Sequence, residues 1–146
     1  SGLLGKSKKR GQRDPKGRTV NVKRITDEGL SMILHNQVKR PVNCVIKFYS
    51  NDCHLCHALQ EYYAAIADSY DSDPNVVFYA YNVDDDPSVE KLLKFKGVPT
   101  IAIIKPDPDM PARRLSAYKI LEEPEEPNKK TWYRVKDIKE FIEKEK

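Results

Sequence analysis

The sequence predicts an α/β domain: a small central mixed β-sheet flanked by helices on both faces. Three observations carry that prediction. Apolar runs of strand length recur at Val45-Ile46-Lys47-Phe48-Tyr49, at Val76–Tyr81 and at Ile101–Ile104. Between them lie segments whose apolar residues fall three and four apart, the spacing of helices that bury one face. Cys53 and Cys56 stand where the first run gives way to helical spacing. Strand and helix signals in alternation make parallel strand pairs joined by crossover helices.

Taken in order, Val20, Val22 and Ile25 suggest a first strand. Thr26 is a helix N-cap type, and Asp27 and Glu28 then place acids in the first turn, where the helix dipole favours them. Leu30, Ile33 and Leu34 form a short helical face ending near Asn36, and Pro41 forbids its continuation. Val42–Tyr49 reads as an interior strand. The next helix puts Cys56, Leu59, Tyr63, Ile66, Ala67 and Tyr70 on one face and ends at Asp71, Asp73 and Pro74. After the Val76–Tyr81 strand, Asp86 caps a helix with Pro87 at its first position. Val89, Leu92 and Leu93 form its inner face, and Gly97 is its stop. A strand follows at Ile101–Ile104, a proline-rich loop at 106–111, and an edge strand over Arg113–Leu121. An acidic loop spans Glu122–Lys130, and a closing helix has Val135, Ile138, Phe141 and Ile142 on its inner face. The expected order is β-α-β-α-β-α-β-β-α, with an antiparallel hairpin at the end.

At 146 residues the chain reads as one domain large enough to bury a real core, and 33% charged residues against 39% hydrophobic ones point to polar segments around a smaller fold. No apolar run approaches the ~20 residues of a membrane span. The N-terminus shows no apolar segment of the signal-peptide kind. The expected compartment is the cytoplasm, with the periplasm or another oxidising compartment as the alternative. The net charge of +4 is uneven: residues 1–24 hold nine Lys and Arg against the single acid Asp14, and the remainder is mildly acidic. Residues 1–18 therefore read as a basic flexible arm, and residues 19–146 as the folded domain. Residues 6–24 could attract nucleic acid by charge, a weak signal without interleaved aromatic residues.

Three cysteines are too few for a stapled scaffold. Cys44 falls inside a strand-like run and reads as a small buried hydrophobe. Cys53 and Cys56 form a dithiol at a strand-to-helix junction, where backbone N–H groups and the helix dipole favour a thiolate. Two other chemistries share the spacing. Cys53-His54-Leu55-Cys56-His57 matches a haem-attachment pattern, but His35 is the only other histidine available as an axial ligand. Zinc on the two cysteines with His54 or His57 lacks a second Cys pair to complete a usual four-ligand site. Neither metal nor cofactor is expected.

With these elements in this order, the chain resembles the thioredoxin superfamily. The match is carried by Val45–Tyr49 running into Cys-x-x-Cys at a helix start. It continues with Asn82-Val83-Asp84 closing the next strand and Gly97-Val98-Pro99-Thr100 before the fourth. It covers roughly residues 19–146, with 105–131 fitting loosely. The resemblance implies a protein disulfide oxidoreductase. In it Cys53 attacks a substrate disulfide, Cys56 resolves the mixed disulfide, and Pro99 is a cis-proline beside the dithiol. The backbone of Val98 then pairs with an extended substrate. Partners would be proteins bearing disulfides or dithiols and an upstream reductase or oxidase, and the expected state is a monomer.

Several residues depart from thioredoxin. His54-Leu55 replaces Gly-Pro between the cysteines, and a protonated His54 would favour the thiolate and a more oxidising potential. Asp52 replaces a tryptophan and acts in the opposite sense. Lys47 takes the place of a buried Asp, and Ala80 that of its Lys partner. Lys47 is open to three readings: a neutral base, a cation favouring thiolate on Cys56, or a buried stem whose ammonium reaches water, the last being expected. Glu61 stands where the family's helix-kinking proline falls. A different class of function is a binding module that docks a partner through the basic arm, the insertion between Lys105 and Arg113 and the Glu122–Glu126 loop, with redox activity secondary.

Overall fold

The computed structural model describes residues 21–146, so the basic arm, Thr19 and Val20 lie outside the described residues. The elements are β1 (Val22–Arg24), α1 (Asp27–Leu34), β2 (Asn43–Tyr49), α2 (His54–Ser69), β3 (Val76–Asn82), α3 (Ser88–Leu93), β4 (Thr100–Lys105), β5 (Ala117–Ile120) and α4 (Val135–Glu145). One five-stranded sheet runs in the order β1-β3-β2-β4-β5. β3 is parallel to both β1 and β2, while β4 is antiparallel to β2 and β5 to β4. The antiparallel part is thus larger than a terminal hairpin, because it begins in mid-sheet at β2.

Side-chain alternation along β2 divides the interior in two. Cys44, Ile46 and Phe48 enter a core closed by Leu30, Ile33 and Leu34 of α1 and Val89 and Leu93 of α3. Val45 enters a second core closed by Leu59, Tyr63 and Ile66 of α2 and Ile138, Phe141 and Ile142 of α4. The period-two pattern sends alternate residues to opposite faces, and each face is covered by two helices. The free Cys44 is fully buried, and burial pushes its thiol pKa far up, so it packs as an inert hydrophobe.

Local signals explain most boundaries. Thr26 caps α1, its hydroxyl accepting from the Gly29 amide at 3.1 Å. Four expectations are corrected. Leu92 and Val135 are exposed at 49% and 38%, because α3 and α4 are docked through their remaining apolar residues. α3 is stopped not by Gly97 but by Lys94, in the left-handed region at φ 61°, after which the Phe95 amide returns to the Glu90 carbonyl at 3.0 Å. Pro87 is the N-cap of α3 rather than its first residue, while Asp86 accepts from the Ser88 amide at 3.1 Å. The last strand is shorter than Arg113–Leu121, because Ser116 is drawn out of the ladder to the end of α1.

That diversion centres on Asn36, which is 6% exposed at φ 60°. Its side-chain amide donates to the carbonyls of Pro111 and Arg114 at 3.2 and 3.1 Å, and its Oδ1 accepts from the Asp107 amide at 3.0 Å. The Asn36 amide donates to Ser116 Oγ at 3.0 Å, and that hydroxyl donates to the Ile33 carbonyl at 2.6 Å. Asn36→Ala should lower the unfolding free energy by about 2–4 kcal/mol, from buried hydrogen bonds lost and a left-handed backbone forced on alanine. Asn36→Gly should recover about 1 kcal/mol of that in urea unfolding. Equal losses for the two variants would show that backbone conformation plays no part there.

Candidate active site

β2 delivers the chain to the end of the sheet, and a polar clamp then fixes the turn that follows. The Val83 amide donates to the Tyr49 carbonyl at 2.8 Å, and Asn82 Nδ2 donates to Asn51 Oδ1 at 2.8 Å. The Asn51 amide donates to Asp84 Oδ2 at 3.0 Å, and the Asp84 amide donates back to Asn82 Oδ1 at 2.9 Å. His57 Nε2 donates to the Asn51 carbonyl at 2.9 Å, so this first-turn histidine ties α2 to the turn before it. Asn51 and His57 were not expected in this role. Their signal lay in a short polar segment facing Asn82 and Asp84 across two strand ends.

Cys53 is the N-cap of α2, with φ −92° and ψ 98°, and its Sγ accepts from the Cys56 amide at 3.1 Å. The first-turn N–H groups of a helix lack intrahelical partners, so a sulfur that accepts one is stabilised most when it is anionic. Cys53 and Cys56 are joined as a disulfide with their Cα atoms 5.3 Å apart. Cys53 is half-buried and Cys56 only 1% exposed, so the pair presents one sulfur outward and keeps the other inside.

Opposite the disulfide, the Val98–Pro99 peptide bond is cis, and the Val98 carbonyl lies 3.7 Å from Cys53 Sγ. Val98 is half-buried and Pro99 buried. Two bonds hold this loop: the Gly97 amide, at φ 79°, donates to Glu90 Oε2 at 2.7 Å, and Thr100 Oγ1 donates to the Gly97 carbonyl at 2.8 Å. Asp52 and His54 are exposed beside Cys53, and Leu55 is half-buried. Among the described residues, no group of three or more His, Cys, Asp or Glu side chains is placed to hold a metal ion.

Lys47 is the residue whose setting the sequence left most open. It is 5% exposed and shares the sheet face of Val45, with Ala80 paired beside it on β3. Its Nζ lies 5.4 Å from the centroid of the Tyr63 ring and 5.7 Å from that of Tyr49. Among the described residues it takes part in no ion pair. Burial pushes its pKa down to about 8. The side chain opens into a cleft of about 850 Å³ that Cys56 also lines.

A family model described as Thioredoxin matches residues 22–117. "Thioredoxin-like protein CITRX, chloroplastic" of Arabidopsis thaliana is 26% identical over 104 residues, 68% of this chain and 55% of that protein. The chain thus spans about half the length of this curated relative, whose chloroplastic location lends the expected cytoplasmic one no support. Among solved structures, the Trx4 domain of ERdj5 superposes with a TM-score of 0.62 at 13% identity, covering 86% of this chain and 95% of that one. Chloroplastic thioredoxin z superposes with a TM-score of 0.57 at 20% identity, covering 87% and 96%. At these identities the structural likeness speaks for the fold.

The lowered pKa of Lys47 has a consequence for stability. A lysine that ordinarily titrates near 10.5 and here near 8 binds its proton more weakly in the folded chain than in the unfolded one. The cost is full below pH 8, where both states are protonated, and fades as pH rises towards 10.5. Lys47→Met should therefore raise the unfolding free energy at pH 7 by roughly 3 kcal/mol, at about 1.4 kcal/mol per pKa unit. The advantage should shrink towards zero above pH 10. Urea unfolding of both proteins from pH 6 to 10.5 measures it, and a constant difference across that range would contradict the assignment.

Proposed function

The chain belongs to the thioredoxin family, and on that premise we propose that it is a thiol–disulfide oxidoreductase acting on protein disulfides through Cys53 and Cys56. One observation carries the reading: Cys53 Sγ caps a helix through the Cys56 amide and lies 3.7 Å from the Val98 carbonyl. A sulfur favoured as thiolate beside the Val98 backbone supports pairing of an extended substrate chain there. Cys53, as thiolate, attacks one sulfur of a substrate disulfide, and the other sulfur leaves as a thiolate. Cys56 then loses its proton and attacks Cys53 Sγ, which releases the second substrate sulfur. The substrate gains two electrons and the Cys53–Cys56 pair becomes a disulfide. Run backwards, the same steps oxidise a substrate dithiol.

In this reading Val98 and Pro99 form the substrate-binding turn, the Val98 carbonyl accepting from a substrate amide while exchange proceeds. The inward position of Cys56 suits a resolving thiol, since it meets Cys53 and no outside disulfide. His54 at the exposed helix start would, when protonated, add positive charge beside the Cys53 thiolate, while Asp52 opposes it. Both lie close enough in the chain to set the potential. Substrates would be proteins bearing disulfides or dithiols, recycled by a separate reductase or oxidase. Among the described residues no helix is long and apolar enough to cross a membrane.

Insulin-disulfide reduction tests the reading. Wild-type protein with dithiothreitol should accelerate insulin precipitation, and Cys53→Ser should abolish the acceleration. A wild type without activity, despite a dithiol that forms, would favour the partner-docking reading of the same fold. His54→Pro should lower the reduction potential by roughly 30 mV or more, the equivalent of about 1.4 kcal/mol for a two-electron couple. Titration against glutathione measures it, and an unchanged potential would remove His54 from the tuning of Cys53.

A further inference from the structure

Two buried polar side chains are left unsatisfied in one place. Lys47 is 5% exposed, and among the described residues its Nζ has no carboxylate partner. Asn21 is 3% exposed, and its amide donates to Asp68 Oδ1 at 2.9 Å. Its own Oδ1 has no hydrogen-bond partner among the described residues. Both residues line the cleft of about 850 Å³ between β1 and α2, floored by β2 and β3. The cleft stays open because Ala80, beside Lys47 on β3, and Ala64 and Ala65 on α2 are too short to close it. A buried ammonium without a counter-charge is costly. The Tyr49 and Tyr63 rings near Nζ offset part of that cost but supply no negative charge.

We propose that this cleft is a binding site for a small aromatic monocarboxylate, with the carboxylate on Lys47 Nζ and the ring against Tyr49 and the apolar wall. The site is separate from the exchange of disulfides and does not rest on it. Its size lies in the range of ~300–1,000 Å³ usual for small-molecule sites, which are mostly apolar with a few placed polar groups.

The charges around the cleft select the ligand. On β1, Arg24 is bound to Asp85 at 3.0 Å, so Lys47 is the lysine or arginine of the cleft that lacks a carboxylate. On α2, His57 Nε2 is held by the Asn51 carbonyl at 2.9 Å, and Cys56 is closed in the disulfide. Glu61 and Asp68 are exposed along the same side of α2. A second negative charge on the ligand would meet these two acids, which disfavours phosphate and dicarboxylates. One carboxylate at Nζ matches the single uncompensated cation. The Tyr63 hydroxyl is spent on the Tyr79 carbonyl at 2.7 Å, so this residue offers the cleft its ring. With Tyr49, Val22, Ala64 and Ala80 it makes an apolar wall suited to a flat ring. Burial pulls the Lys47 pKa down to about 8, and a bound carboxylate would push it back up.

NMR titration of the full oxidised chain with 2-naphthoate and benzoate, at pH 7 and constant ionic strength, tests the site. Both should shift the amides of Val22, Lys47, Tyr49 and Ala64 saturably, with a Kd on the order of a millimolar or tighter. Benzyl alcohol, which keeps the ring and lacks the charge, should bind roughly tenfold more weakly than benzoate. Inorganic phosphate, which has charge and no ring, should leave these amides in place. Lys47→Met should weaken 2-naphthoate binding by roughly tenfold or more, and Lys47→Arg, which keeps the cation, should restore most of it. With benzoate bound, the midpoint at which the Lys47 side chain titrates should move upward. Shifts confined to another surface, or equal binding of benzyl alcohol or phosphate, overturn the proposal. So does undiminished binding in Lys47→Met. The ligand series uses wild-type protein, so the test stands even if a variant does not fold. Because the disulfide stays closed throughout, failure here leaves the oxidoreductase reading untouched, and a chain inactive on insulin could still bind the acid.

Discussion

β2 has neither a free edge nor a free face, and the rest of the molecule is arranged by that constraint. All seven of its residues pair with β3 on one side, and five pair with β4 on the other. Because β3 runs with it and β4 against it, the chain leaving β2 at Tyr49 emerges beside the end of β3 and the beginning of β4. The turn after β2 therefore meets Asn82 and Asp84 from one neighbour and Val98-Pro99 from the other. The disulfide and the cis peptide bond come together as a consequence of strand direction, although they are 45 residues apart in the chain.

This explains which parts of the molecule were legible in the amino-acid sequence. Strands buried on both faces leave unbroken apolar runs, and helices that bury one face leave a three-four spacing, so the element order could be read in full. The junction holding Cys53 and Cys56 was legible because a strand signal and a helix signal meet there. What the sequence did not disclose were outcomes of tertiary docking. Leu92 and Val135 carry the right spacing but are not needed by their helices' contacts. Lys94 rather than Gly97 ends α3, because the helix stops where Leu93 has completed its packing. The clamp of Asn51, Asn82, Asp84 and His57 was hidden because polar residues near strand ends look alike until the strands are placed side by side.

Lys47 lies between the two cases. Its place in β2 was plain from sequence, and so was its oddity, but its environment depends on α2 and on the ring faces of Tyr49 and Tyr63. A chain selected for stability alone would place an aliphatic residue there, continuing the face begun by Val45. Residues that break a local rule in an otherwise consistent fold are where function is to be sought, and this one opens into the same cleft as Cys56.

Cys53 and Cys56 are separated by only two residues, so their bond closes a very small loop. In the chain-entropy model such a loop constrains the unfolded chain by about 2 kcal/mol, against ~3 for a 15-residue loop. The two cores on either side of the sheet are complete without the bond, since neither needs the sulfur–sulfur link to bring its helices together. Opening the disulfide thus removes only a small part of the 5–15 kcal/mol typical of a domain. By that estimate the fold does not depend on the bond, so under the proposed function the pair could open and close repeatedly without the protein having to refold between turnovers.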